Sequence, residues 1–341
     1  MPEMVAADQS RSKLMFWLRL VVAGIIIGLI VWKNDWDQFR LEFAQTEWHW
    51  LSAAVFSFGT ALTAGAWRWQ FLLRVQQIRF PFPQVGGINM IGFFFNQFLF
   101  GSTGGDLVKI FYAIRKAPDR KAEIALSIVM DRVLGLIAIL AVTFLLLPLE
   151  WQRLSSDEDI RAILIVLAVV LASVFGGLAI ALFFPLTSLP AVFSRFWVRV
   201  PKREVLESLY YGVRTHGSQG KWTACAIGTA FLTAIPLVST GWFLAQALHL
   251  DIDYIPMTIL FSIVLCAMSI PLFPGGHGIR EGAFFLLFGV FGVTRYGQSV
   301  GNETALACST LFLFVVLIWS LIGGCIFLLF SGKIKKTDPH V

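Results

Sequence analysis

The sequence predicts an all-α polytopic membrane protein with six full spans and two re-entrant helical hairpins, arranged as an inverted-topology repeat. Three observations support this prediction. Hydrophobic residues make up 57% of the 341 residues, and charged residues only 14%. Apolar runs of about 20 residues, the length that crosses a bilayer core, recur along the chain. Lys and Arg cluster in short loops between these runs, as they do in polytopic membrane proteins.

The apolar runs place the six spans and leave little chain outside the membrane. The predicted spans are 14–32, 50–73, 122–148, 161–185, 222–247 and 304–330. The first run leads into WKNDW rather than a small-residue cleavage site, so it is interpreted as a retained helix and not a secretory signal. The longest polar interval, 186–221, is too short for an ordinary folded enzyme domain.

Loop charges assign a side of the membrane to each loop, because Lys and Arg accumulate in the cytoplasm. The N-terminal tail and the C-terminal tail are both basic and are predicted to be cytoplasmic. The loops at 33–49 and after 148 are acidic and are predicted to be outside. The predicted organisation is a tail at 1–13, a first membrane repeat at 14–148, a second repeat at 149–330 and a tail at 331–341.

Two further apolar segments, 85–114 and 256–293, are each predicted to enter and leave the membrane on one side. Basic residues flank 85–114 at both ends, and the loop sides on either side of 256–293 require the same of that segment. Each half then has the order span, span, hairpin, span, and the second half is inverted. Inverted repeats with broken helices are the architecture of many transporters. Loop charges leave open a single kinked crossing in place of either hairpin.

The first hairpin turns at GSTGGD, and non-helical backbone at membrane depth survives only where it faces protein or a wet cavity. Gly104 and Gly105 permit close approach of a ligand, and Asp106 lies where it would cap the second arm. Lys109 follows one turn later. The turn is therefore either a capped helical turn or a backbone anion nest that, with Lys109, holds a lipid phosphate.

The second hairpin turns at PLFPGGHGIREG, where Gly275, Gly276 and Gly278 supply the break. Glu281 suits the N-terminal helix dipole, whereas Arg280 opposes it. Arg280 is therefore a candidate for holding an anionic headgroup, with an ion pair between helices as the alternative. His277 is either a proton-coupling group or a hydrogen-bonding spacer.

Asp131 and Arg132 lie inside the span 122–148, where charges usually face the bundle interior. Adjacent helical residues point about 100° apart, so each needs a partner elsewhere. The candidate partners are Lys109 or Arg280 for Asp131, and Asp106 or Glu281 for Arg132. Such pairs would either line a pathway or lock the hairpins to the bundle. Arg68, in WRWQF, is interpreted as snorkelling to the interface.

No motif predicts a cofactor, a metal or an enzyme reaction. The sequence contains no G-x-x-x-x-G-K-[ST], no H-E-x-x-H and no G-x-S-x-G. The four cysteines lie in apolar runs and are interpreted as small hydrophobes. The basic residues lie in short loops rather than on one face of a soluble domain, which argues against nucleic acid as a partner.

Three ordered motifs, GSTGGDLVKI, SIVMDRVLGL and PGGHGIREGAFFLLFG, resemble the flippase-like integral membrane family that includes the transmembrane region of lysylphosphatidylglycerol synthase, the multiple peptide resistance factor. The resemblance covers about 14–330. It implies binding and translocation of phospholipids or polyprenyl-phosphate lipids, and places Asp106, Asp131, Arg132, Arg280 and Glu281 on the family's charged positions. Lys109 stands where the family often has Arg, so headgroup selectivity is expected to differ.

Three functions remain open at this point. The first is a lipid transporter whose headgroup site lies between the hairpins, with a lipid of anionic or phosphate headgroup as partner. The second is a membrane enzyme with Asp106, Asp131 or Glu281 as general base. The third is an accessory subunit of a lipid or glycan pathway. Assembly with a second copy or with pathway enzymes is left open, and lysyl transfer is not expected because the chain stops at Val341.

Overall fold

The protein is a helical bundle, described here from a computed structural model that covers residues 46–97, 104–151, 219–269, 279–299, 302–333 and scattered positions of 161–176. The helices are α1 (Trp48–Val75), α2 (Phe82–Asn96), α3 (Gly104–Ile114), α4 (Lys121–Leu146), α5 (Gly220–Ala247), α6 (Tyr254–Met268), α7 (Ile279–Val290) and α8 (Asn302–Lys333). Short 3-10 turns at Pro118–Arg120 and Leu147–Glu150 flank α4. The strands β1 (Leu250–Asp251), β2 (Thr294–Arg295) and β3 (Gln298–Ser299) form a small antiparallel sheet.

The long helices α1 and α5 pack against each other in antiparallel orientation. At one end of the pair, the Glu47 N–H donates to the Ala247 carbonyl at 3.1 Å. At the other end, the rings of Phe71 and Trp222 stack 6.0 Å apart. Small buried residues, mainly alanine and glycine, line both helices and allow their backbones to approach closely.

Helices α2 and α3 form the first helical hairpin, and their contacts show that the two arms run in opposite directions. Gly105 N–H donates to Asn96 Oδ1 at 2.7 Å, whereas Lys109, further along α3, packs on Gly92, further back along α2. Leu73, Val85, Ala113 and Ile124 share one hydrophobic cluster. The end of α1, both outer ends of the hairpin and the start of α4 therefore meet at one place.

Helices α6 and α7 form the second helical hairpin, and the small sheet joins the two strands at its open end. We call the open end of a hairpin, where the chain enters and leaves, its mouth. Strand β1 immediately precedes α6, and β2 follows α7. Leu250 pairs with Arg295 and Asp251 with Thr294 across the two strands. The segment therefore begins and ends at the same place, close to Leu51 at the start of α1, which belongs to the same hydrophobic cluster as Leu250.

The two hairpin mouths lie at opposite ends of α1, and the helices around them have matching lengths. Helices α1 to α4 have 28, 15, 11 and 26 residues, and α5 to α8 have 28, 15, 12 and 32. Helix α8 links the two hairpins: Ser309 contacts Arg280 of α7, and Gly323 packs on the Met90 backbone of α2. The chain order of long helix, two short arms and long helix thus occurs twice.

The described residues contain three stretches long and apolar enough to cross a membrane: Pro118–Glu150, Gly220–Ala247 and Thr304–Leu329. They coincide with three of the spans predicted from the sequence, and α1 forms a helix where a fourth was predicted. The predicted span 14–32 lies outside the described residues, as does most of 161–185. The count of six spans and two re-entrant segments stays a prediction.

Candidate functional site: a buried ion network beside the first hairpin

Among the residues that the structure describes, five ionisable side chains from three helices meet beside the first hairpin, and we call them the ion network. Its members are Arg68 of α1, Asp106 and Lys109 of α3, and Asp131 and Arg132 of α4. Asp131 accepts a hydrogen bond from Arg68 Nε at 2.7 Å, and its other oxygen lies 3.7 Å from Lys109 Nζ. Arg132 Nε donates to Asp106 at 2.8 Å. Ion pairs therefore join the second arm of the hairpin to α4, and α4 to α1.

Helix geometry explains why Asp131 and Arg132 choose different partners. Successive helical residues point about 100° apart, so Asp131 faces α1 and the inner side of α3 while Arg132 faces Asp106. The side chains of Arg68, Lys109, Asp106 and Asp131 are nearly enclosed. The Arg132 side chain remains 43% exposed. Arg132 is therefore the member of the network best placed to meet a molecule outside the bundle.

Glycines make room for Lys109 in the hairpin. A Cβ at Gly92 would collide with the Lys109 stem, and one at Gly105 would collide with the Gly92 carbonyl oxygen. The Lys109 ammonium lies 4.5 Å from the centre of the Trp69 ring, and the Trp69 indole is held by Ser127 Oγ at 3.1 Å. Lys109 thus has a carboxylate and an aromatic face as neighbours, both of which stabilise a buried cation.

The ion network carries an excess of positive charge. With these five described groups ionised, the network holds three cations and two carboxylates, so one positive charge is not balanced among them. Charges inside an apolar bundle interact more strongly than charges in water, because the effective dielectric constant is lower. An anionic group placed beside Arg132 would balance the network. A phosphate suits this position because a guanidinium donates to its oxygens in a planar fork.

A second, smaller charged group lies at the start of the second hairpin's inner arm. Arg280 is buried and donates from Nε to Ser309 Oγ of α8 at 2.7 Å and from Nη2 to Glu281. Ser309 Oγ also lies 3.3 Å from Glu281. The Glu281 side chain remains 30% exposed. Counted over the described residues, this group contains one cation and one carboxylate, and these two charges balance.

The structure brings together some of the predicted residues and separates others. The pairings of Asp131 with Lys109 and of Arg132 with Asp106 are formed. The alternative pairing of Asp131 with Arg280 is not formed, since Arg280 binds Glu281 and Ser309. The interpretation of Arg68 as a snorkelling residue is wrong, because its side chain is only 10% exposed and pairs with Asp131.

The remaining site predictions concern the hairpin turns and metal binding. Gly104 and Gly105 begin α3, and the Gly105 N–H is already held by Asn96. Gly275, Gly276, His277 and Gly278 lie outside the described residues. Among the residues that the structure describes, no three His, Cys, Asp or Glu side chains come together as metal ligands.

Long apolar helices, paired short arms and charges enclosed between helices define a helical membrane protein. Comparison with protein families makes this more specific: the model of the family described as "Lysylphosphatidylglycerol synthase TM region" matches residues 16–324. The chain therefore belongs to this family of membrane domains, which is associated with lipid handling. No curated protein matches the sequence.

Proposed function

We propose that the protein is a lipid transporter that moves a phospholipid or a polyprenyl-phosphate lipid between the two leaflets of the cell membrane. The observation that carries this proposal is the ion network, whose excess positive charge is joined to a half-exposed Arg132 within an apolar bundle. Intramembrane charges of this kind mark substrate pathways in transporters. A lipid fits because its phosphate would meet Arg132 while its chains stay in the bilayer.

The proposed architecture is multi-pass, with both termini in the cytoplasm, two repeats at 14–148 and 149–330, and hairpins that re-enter the membrane from opposite sides. Two features of the fold support it. The hairpin mouths lie at opposite ends of α1, and α1–α4 and α5–α8 follow the same sequence of lengths. Rocking of two such halves would expose a site between them to each leaflet in turn.

The site residues are proposed to form two groups. One group contacts the lipid, and the other positions the side chains of the first group. Arg132 and Glu281 keep part of their side chains exposed, so they would meet a phosphate and a cationic or hydroxyl group respectively. Asp106, Lys109, Asp131 and Arg280 are more enclosed and would fix the charge and orientation of these two. The turn glycines Gly104, Gly275, Gly276 and Gly278 would supply backbone donors, whereas the Gly105 N–H is already bound by Asn96. His277 would be a proton-coupling group.

A leaflet-exchange assay tests this function. The full chain is reconstituted into vesicles containing fluorescent phosphatidylglycerol or a fluorescent polyprenyl phosphate, and dithionite bleaches the outer leaflet. We expect the wild type to bring inner-leaflet lipid to the outside. Arg132→Gln should slow this at least about tenfold, because it removes a charge-assisted hydrogen bond. Arg132→Lys should be intermediate, since it keeps the charge but loses the fork.

The matched control is Arg115→Gln, which removes an exposed arginine beyond the end of α3 that lies over the Phe111 ring. We expect this variant to exchange lipid at the wild-type rate. Wild-type vesicles that exchange neither lipid would contradict the transporter proposal. Binding of lipid without exchange would instead favour an accessory subunit or a membrane enzyme that acts on a lipid-linked substrate.

A further inference from the structure

A cavity at the end of the bundle shares no residue with the ion network or with the Arg280 group. It has a volume of about 830 Å³ and lies between the end of α1, the segment leading to α2 and the start of α5. The described residues that line it are Arg74, Gln77, Arg79, Phe80, Pro81, Gln219 and Trp222. Sites for small molecules usually measure about 300–1,000 Å³, so the space is large enough for a phosphate-bearing headgroup.

The charged side chains that line this cavity in the described part of the chain are all positive. Two of the seven described lining residues are arginines, and none of the seven is acidic. Within the described parts of the chain, neither Arg74 nor Arg79 forms an ion pair with a carboxylate. Two guanidinium groups that face one space without a carboxylate create a favourable position for an anion, and arginine forks match the oxygens of phosphate.

Two stacked aromatic rings, those of Phe71 and Trp222, pack against the guanidinium of Arg74. The Arg74 guanidinium carbon lies 4.7 Å from the Trp222 ring centre and 5.6 Å from that of Phe71. The two rings are nearly parallel, with an interplanar angle of 20°. Stacking on aromatic rings fixes the plane of a guanidinium, while the N–H groups at its edge remain available as donors. Trp222 also gives the cavity an apolar wall.

Gln77, at the cavity wall, has a left-handed backbone conformation that glycine would adopt without steric cost. Its φ is 59°, and it closes α1 through two bonds: Ile78 N–H donates to the Leu73 carbonyl, and Gln77 N–H to that of Arg74, both at 2.9 Å. Glycine is the usual residue at this point of such a helix end. A strained residue beside a cavity suggests a function for its side chain, and an amide can donate to a phosphate oxygen.

We infer that this cavity binds a phosphate-bearing anion, with Arg74 and Arg79 on its oxygens, Gln77 as a further donor, and Trp222 against the apolar part of the ligand. The phosphate is carried by a lipid headgroup or is a free phosphate, and the chemistry of recognition is the same for both. The inference does not depend on transport, because a binding cavity at this end would serve a transporter, an enzyme or an accessory subunit equally.

Calorimetric titration of the full chain in phosphatidylcholine nanodiscs tests the inference, with dihexanoyl phosphatidylglycerol and inorganic phosphate as separate probes. We expect the wild type to bind the short-chain lipid and Arg79→Gln to bind it about tenfold more weakly, since a charge-assisted contact is lost. Equal binding of inorganic phosphate would identify the phosphate group alone as the ligand. Binding of the lipid only would identify a lipid headgroup.

Two further variants make the test specific. Arg115→Gln removes the same charge from an arginine that lies over the Phe111 ring but does not line the cavity, and it should bind as the wild type does. Gln77→Gly should raise the Tm, because it relieves the left-handed backbone, and yet weaken binding. The inference is overturned if neither probe binds, if Arg79→Gln binds like the wild type, or if Arg115→Gln weakens binding as much.

Discussion

The two helical hairpins have the same backbone plan but different charge partners. Each has a 15-residue arm and a shorter arm, and each shorter arm has an acidic residue in its first turn, Asp106 or Glu281. In the first hairpin, ion pairs to α4, and from α4 to α1, leave one positive charge in excess. In the second hairpin, Arg280 and Glu281 balance each other and bind one hydroxyl of α8. The same backbone plan therefore carries, among the described residues, a charge excess beside one hairpin and a balanced ion pair in the other.

The largest effect on this comparison is expected from Asp131→Asn. Asp131 is the carboxylate shared by Arg68 and Lys109, and its removal leaves two buried cations without their counter-charge. Breaking a buried pair in this way costs about 3–5 kcal/mol. We expect a large loss of folded protein, measured by size-exclusion chromatography and thermal unfolding in detergent. An Asp131→Asn protein as stable as the wild type would show that the network does not hold the first hairpin in place.

A smaller effect is expected from Gly105→Ala, because the new methyl group would meet the Gly92 carbonyl and the Asn96 side chain. Overpacking of this kind costs about 1–3 kcal/mol, seen as a lower Tm. The matched change in the second hairpin is Gly282→Ala, where a Cβ meets nothing within 4 Å. That variant should be neutral or more stable, by up to about 1 kcal/mol, from helix propensity. An equal loss of Tm in Gly105→Ala and Gly282→Ala would contradict the conclusion that the backbone is tightly packed at Gly105 and not at Gly282.

The smallest effect is expected when the second charged group is removed as a unit by Arg280→Met with Glu281→Gln. Replacing both members of a buried pair is often neutral, whereas removing one is costly. We expect a change in unfolding free energy within about 1 kcal/mol, and a much larger loss for Arg280→Met alone. If the double variant were as unstable as the single variant, the loss would come from Arg280 contacts other than its ion pair with Glu281.

The sequence predicted the pairs Asp131–Lys109 and Arg132–Asp106 because two simple rules limit the choices. Buried charges need partners, and adjacent helical residues cannot face the same one. Arg68 was missed because a position near the end of a helix also suits snorkelling. Gly135 was the available signal, since a Cβ there would lie 3.2 Å from Arg68 Nη1 and its absence leaves room for the guanidinium.

Other features carried weaker sequence signals. Ser309 and Asn96 resemble many other small polar residues in apolar helices, and only the fold shows that they hold Arg280 and Gly105. The small sheet was missed because strands of two residues show no periodicity. The turn between β2 and β3 has positive φ at both Tyr296 and Gly297, as in a two-residue type I′ hairpin turn. Asn-Gly at these positions would have been a clearer sequence signal for this turn.

The central claim is that a lipid headgroup lies against Arg132, and headgroup photo-crosslinking tests it most directly. Vesicles would contain the full chain and a phosphatidylglycerol with a photoreactive headgroup, and adducts would be mapped by mass spectrometry. We predict adducts at the exposed residues Leu107 and Val129, which flank Asp106 and Arg132, and their loss in Arg132→Gln but not in Arg115→Gln. Absence of adducts at Leu107 and Val129, or an unchanged pattern at these two residues in Arg132→Gln, would contradict the claim.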